Sequence, residues 1–181
     1  MQNTPLPNVN ILNIPMNDKI LNACNNVMND YIGRHSKTFV MRIDIHPPED
    51  AEQSQIIKFN KRFIEKERLA GNDPSYIVAR EVSSSKKTHY HMALFLDGQK
   101  TNSTYKHFEN AKTVLQNVMG SGGTINYCDD GHRNGIMINR NNQNQDDLNE
   151  VQRQLSYLAK EDQKEGVKGK TFFTSRIHKK Q

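Results

Sequence analysis

Cysteine is scarce in this chain, with two in 181 residues, Cys24 and Cys128. A secreted, disulfide-stapled framework is therefore not expected. No apolar run approaches the length that crosses a bilayer. Residues 1–17, rich in Asn and Pro, lack the basic stretch followed by an apolar stretch that marks a signal peptide. There is no internal repeat, no interdomain linker and no Arg/Lys-Gly-Phe-x-Phe run of the kind that sheet-based RNA binders use to stack bases. These absences predict one soluble, cytoplasmic domain with no membrane partner.

What is present is polar and basic. Hydrophobic residues make up 34%, charged residues 25%, and mean hydropathy is -0.85. Net charge is +5 and the pI about 9.2, which suits a polyanionic partner. The excess is concentrated at the end: Tyr157 to Gln181 carries seven Lys/Arg against three Asp/Glu, a net of +4. Within that stretch Lys164, Lys168, Lys170 and Arg176 fit contacts to a DNA backbone, or a solvated charged tail.

Periodicity predicts the order helix, strand, helix, hairpin, helix, strands, helix. Ile20, Leu21, Cys24, Val27, Met28 and Tyr31 form a helical stripe after a cap at Asn17 or Asp18. Residues 38–45 alternate as a strand, with Phe39, Met41, Ile43 and Ile45 on one face and Arg42 and Asp44 on the other. Helices are expected over 51–70 and 104–119. Strands over 76–82 and 89–96, joined by a polar loop, read as a hairpin. One or two short strands are expected within 124–139. A last helix, capped by Asp146 or Asp147, runs to about Asp162 with Leu148, Val151, Leu155 and Leu158 inward. This is an α+β domain, a central antiparallel sheet of about five strands with helices packed on it. Residues 1–16 read as an irregular arm and 178–181 as a basic tail, leaving 17–177 as the domain.

Chemistry gathers on the hairpin. His89 and His91, two apart on a strand, share one face. Glu81 ends the preceding strand on the same face as Ile77 and Ala79, so the hairpin brings it beside the histidines. Two imidazoles and a carboxylate, with positions open for water and phosphate, suit Mg²⁺ or Mn²⁺, and zinc also accepts this set. On the last helix Tyr157 falls opposite the leucine stripe, on the side that carries Lys160 and Arg153, the latter a candidate contact for DNA. A phenol among cations is placed to act as a nucleophile. Arg42 and Asp44 either support this site, contact DNA or form a surface ion pair. Cys128 and His132 have no second pair of ligands, so a second metal site is not expected there.

Taken in order, Glu81, His89-Tyr90-His91 and Tyr157-Leu158-Ala159-Lys160 resemble the three-part signature of HUH endonucleases, the rolling-circle replication initiators of single-stranded circular elements. The stretches Phe39 to His46, Ala79-Arg80-Glu81 with His89-Tyr90-His91, Ser156 to Lys160 and Phe172-Phe173-Thr174-Ser175-Arg176 more particularly resemble phage and prophage replication proteins of filamentous-phage type and the YagK/YfjJ group. The resemblance spans roughly residues 36–177. It implies a ferredoxin-like sheet carrying the two-histidine strand, and cleavage of single-stranded or hairpin origin DNA in a bacterial host cell. It also implies metal ligation by His89, His91 and Glu81, a Tyr157 nucleophile that becomes joined to a 5′ phosphate, and Lys160 as partner of phosphate or tyrosine.

The loop before His89 has Lys86 where many relatives of this kind have glycine. Only one tyrosine lies on the last helix, so strand closure needs a second protomer, reuse of the tyrosine or another nucleophile. Unwinding and synthesis are expected from a host helicase and polymerase. The competing readings are a single-strand-binding module without catalysis, and a transposase or relaxase of the same class. Relaxases usually combine three histidines with an N-terminal tyrosine, unlike the arrangement here.

Overall fold

Alternation along one strand sets the layout. In the computed structural model, which describes residues 14–127, 133–162, 164 and 169–178, β1 (Lys37–His46) sends Phe39, Met41, Ile43 and Ile45 to one side of the sheet and Val40, Arg42 and Asp44 to the other. The remaining elements follow in chain order. Helix α1 (Asp18–Arg34) precedes β1. Next come α2 (Gln53–Leu69), β2 (Ser75–Val82), β3 (Thr88–Asp97), α3 (Tyr105–Met119), β4 (Thr124–Tyr127), β5 (Ile136–Asn139), α4 (Gln145–Ala159) and β6 (Phe172–Thr174).

All pairings are antiparallel. The order is β4-β1-β3-β2-β6, with β5 also on β1. The sheet thus has six strands, one more than expected, because the apolar patch Phe172-Phe173 pairs with β2 as β6. Strands β5 and β4 share one edge of β1, at Lys37–Val40 and Ile43–His46. The gap between them is filled by Asn134, whose side chain accepts from Arg42 N–H at 2.9 Å and donates to Arg42 C=O at 2.8 Å.

Each face of the sheet has its own core. Helices α1 and α4 cover Val40, Ile77, Ala79, Ala93 and Phe95, adding Ile20, Met28, Tyr31, Val151, Leu155 and Leu158. Helices α2 and α3 cover Met41, Ile43, Val78, Tyr90, Met92 and Leu94, adding Phe59, Phe63, Phe108 and Leu115. Strand β3 lies between β1 and β2 and is buried along most of its length.

Both ends of α4 differ from the sequence reading. The α4 cap is Asn144, which accepts from Asp146 N–H at 2.9 Å. The helix stops at Ala159, short of Asp162, because the segment before α1 pairs with its end. Asn17 N–H donates to Ala159 C=O at 2.7 Å, Glu161 N–H donates to Pro15 C=O at 3.0 Å, and Met16 bridges Lys160. Residues 14–16, irregular apart from that bridge, are thus tied to the helix end. His178, expected in the basic tail, donates its backbone N–H to Asp30 at 3.1 Å. At the start of the chain, α1 is capped by Asn17, whose side chain accepts from Ile20 N–H.

The far side of the sheet holds a buried charge network. Glu67 of α2 is fully buried and accepts from His107 Nδ1 at 2.8 Å, Asn110 Nδ2 at 2.9 Å and Asn72 Nδ2 at 2.7 Å. Burial opposes its ionisation, but these donors outweigh it and hold the carboxyl below its ordinary range. A folded-state value below the unfolded one gives stability that is full above about pH 4.3 and is lost as pH falls below it. Glu67→Gln is expected to cost about 2–3 kcal/mol at neutral pH. Urea unfolding at a series of pH values should show the gap to wild type narrowing as pH drops below about 4. A gap that is small at pH 7, or that widens in acid, would contradict this network.

Candidate metal centre and tyrosine site

Strand register assembles the site. On the α1/α4 face, Asp44 of β1 stands opposite His91 of β3, and Glu81 of β2 stands opposite His89. The carboxylate and two imidazoles foreseen from the hairpin come together, with one donor atom from each within 4.8 Å of the others. Glu81 Oε2 lies 3.2 Å from His91 Nε2 and 3.4 Å from His89 Nε2. Lys86, where glycine would be conformationally favoured, adopts φ +62°. The residue that departs from the glycine pattern thus takes up the left-handed turn itself, and Glu81 keeps its register with His89.

Glu81 has no exposed side-chain surface. Its Oε1 takes the Lys164 ammonium at 2.8 Å, and Lys160 Nζ lies 3.4 Å from Oε2. Burial works against the charged carboxylate, yet hydrogen bonds from both histidines and the charges of His91 and Lys164 hold it well below the usual carboxylate range. His91 Nδ1 lies 2.6 Å from Asp44 Oδ1. Burial would lower the His91 value, but Asp44 and Glu81 outweigh it and raise it. A carboxylate on one ring nitrogen leaves the other aimed at Glu81, the usual way of orienting a ligating histidine. The donor set of two imidazoles and one ionised carboxylate fits a divalent cation.

Helix α4 brings the tyrosine. Its ring packs edge-on to His91, centroids 5.4 Å apart. The Arg42 guanidinium and the Lys160 ammonium each lie 4.1 Å from the Tyr157 ring centre. Burial disfavours the Lys160 charge, but the nearby Tyr157 phenol and the charge of Glu81 raise its value above that of an ordinary lysine. The phenol therefore sits at the rim of the triad between two cations, as its helical position predicted, although the second cation differs. Arg153 is instead held by Glu150, with Nε and Nη2 each 2.9 Å from its carboxylate.

Arg42 and Asp44 pair with each other beside His91 rather than reaching outward. Arg42 is 3% exposed, and its Nε lies 3.4 Å from Asp44 Oδ1. Lys164, read from sequence as a backbone contact for DNA, is buried on Glu81 and also donates to Lys160 C=O at 2.5 Å. Lys170 and Arg176 are exposed, with Lys170 Nζ 5.1 Å from the Phe173 ring. Lys168, Cys128 and His132 lie outside the described residues. The sequence reading gave His46 no role, but its ring stacks on His89 at 5.6 Å. Its signal was available, because His46 shares the face of Arg42 and Asp44 by period two.

The sequence profile of one family, the YagK/YfjJ C-terminal domain, matches residues 6–175. The chain belongs to this family. The matched range contains every helix and strand described above and every residue of the site. No curated protein and no solved structure matches the chain. In this YagK/YfjJ domain no helix among the described residues is long and apolar enough to cross a membrane.

Asp44 gives a direct test of how the centre is built. Asp44→Asn should weaken Mn²⁺ binding about 10–100-fold while leaving the fold intact, measured by calorimetry beside thermal unfolding. Unchanged affinity would mean that His91 needs no orienting partner.

Proposed function

We propose that this domain is an HUH-type endonuclease that nicks single-stranded DNA and becomes covalently joined to it. The observation that carries the reading is the delivery of Tyr157, from a separate helix, to the edge of the Glu81, His89 and His91 cluster between Arg42 and Lys160. A structural tyrosine would have no need of two flanking cations and a three-donor cluster beside it.

Glu81, His89 and His91 would hold a divalent ion, which when bound polarises the scissile phosphate and offsets the charge that develops on its oxygens. The Tyr157 oxygen attacks phosphorus, and the bond from phosphorus to the 3′ oxygen breaks. The phenol gives up its proton and the departing 3′ oxygen takes one up, so one ester replaces another and the break can be resealed. Lys160, whose ammonium lies 4.1 Å from the Tyr157 ring centre and 3.4 Å from Glu81, places a positive charge where phenolate and phosphate oxygens meet. Arg42 covers the tyrosine ring and bonds the carboxylate that orients His91. Such an enzyme would start rolling-circle replication of a phage or other mobile element, with its substrate a single-stranded or hairpin origin and unwinding left to a host helicase.

The test is direct. Purified protein is mixed with labelled single-stranded DNA from the intergenic region of its own element, with Mn²⁺ or Mg²⁺, and run on a denaturing gel. An adduct abolished by EDTA supports the reading. Tight binding of the same DNA, independent of metal and without adduct, would favour a non-catalytic single-strand-binding module.

A further inference from the structure

The position of Lys164 carries an inference that rests on reading the triad as a metal site and goes beyond it. Glu81 divides its two oxygens. Oε2 faces both histidines and Lys160, while Oε1 is taken by the Lys164 ammonium at 2.8 Å. Lys164 is itself buried, and its second contact is the carbonyl of Lys160. It is thus an internal charge with two fixed acceptors, unlike a mobile surface lysine.

The charge balance of the site follows. Arg42, Lys160 and Lys164 bring three positive charges to the two carboxylates Asp44 and Glu81. The carboxylates are already neutralised by the chain's own cations. Any divalent ion on Glu81 shares that carboxylate with a buried ammonium, in a setting where solvent screening is weak. Ion binding then leaves excess positive charge, which a phosphate anion relieves.

We infer that Lys164 holds down the metal affinity of the free protein, so that tight metal binding requires the phosphate of bound DNA. Lys164 is on this account a positioning and charge-balancing residue that acts through Glu81. The two ligands are coupled, each raising the affinity of the other by the same factor. Such coupling keeps the reactive centre incomplete until substrate is in place.

The test is Mn²⁺ binding, followed by the electron paramagnetic resonance of the free ion and by calorimetry. It is run with and without a single strand from the intergenic region of its own element. In the wild type, the strand should raise Mn²⁺ affinity about tenfold or more. Lys164→Gln, which keeps a hydrogen-bond donor but no charge, should bind Mn²⁺ about tenfold tighter than wild type without DNA and gain less from the strand. Lys164→Arg, which keeps the charge, should stay close to wild type. A folded Lys164→Gln protein with unchanged or weaker Mn²⁺ affinity would overturn the inference. So would a wild-type affinity indifferent to DNA, a result that does not depend on any variant folding. Failure of wild type to bind Mn²⁺ in either condition, or equal binding by Glu81→Gln, would overturn the metal reading and this inference with it.

Discussion

Tyr157→Phe is expected to abolish DNA cleavage and adduct formation, lowering the rate by roughly four orders of magnitude or more, as removal of a covalent nucleophile does. The same change should leave the fold almost untouched. Tyr157 is half-buried at the rim of the site, and phenylalanine preserves the ring that Arg42 and Lys160 cover. What is lost structurally is the hydroxyl of a half-buried ring, a change expected to cost about 1 kcal/mol or less. Gel analysis of adducts, with thermal unfolding as control, separates the two effects. An adduct of undiminished yield in Tyr157→Phe would remove this residue from the chemistry while leaving the metal centre standing.

Glu81 carries the second large effect, and here structure and chemistry fail together. The carboxylate is buried against Lys164, Lys160, His89 and His91. Glu81→Ala leaves two lysines facing a buried void, and removal of one partner from a buried ion pair typically costs about 3–5 kcal/mol. Urea unfolding should show that loss, and Mn²⁺ binding should disappear. Because the cost arises from cations left behind, the double replacement Glu81→Gln with Lys164→Gln should be less destabilising than the sum of the single changes. Additive effects, or a Glu81→Ala protein within about 0.5 kcal/mol of wild type, would contradict the ion network described here.

The layout was legible wherever one periodicity dominated. The alternation in β1 and β3 assigned each side chain to its face, so the pairing of His89 with His91 and the common side of Arg42 and Asp44 followed from period two alone. The hairpin placed Glu81 because its register with His89 depends on a short local connection. What sequence could not give is what long-range packing decides. Asn134 fills a gap along the edge of β1 by bonding Arg42, 92 residues away in sequence. The early stop of α4 depends on residues 15–17, far away along the chain. Lys164 read as one more basic residue near the end because nothing local distinguishes a buried ammonium from an exposed one. Its role appears only when β2 and the segment after α4 are seen side by side. Arg153, which helical angle put on the side of Tyr157, pairs with Glu150 three residues earlier, a local partner that helical spacing also allows. The cation that does reach the ring, Arg42, comes from another element altogether.

The central claim is that Tyr157, beside the Glu81, His89 and His91 cluster, forms a covalent bond to DNA. Peptide mapping by mass spectrometry after reaction with single-stranded DNA and Mn²⁺, followed by nuclease trimming, tests it most directly. The expected result is one modified peptide, containing Ser156 to Lys160, with a nucleotide attached through its 5′ phosphate to Tyr157. A nucleotide on any other residue, or cleaved DNA with no modified peptide at all, would contradict it.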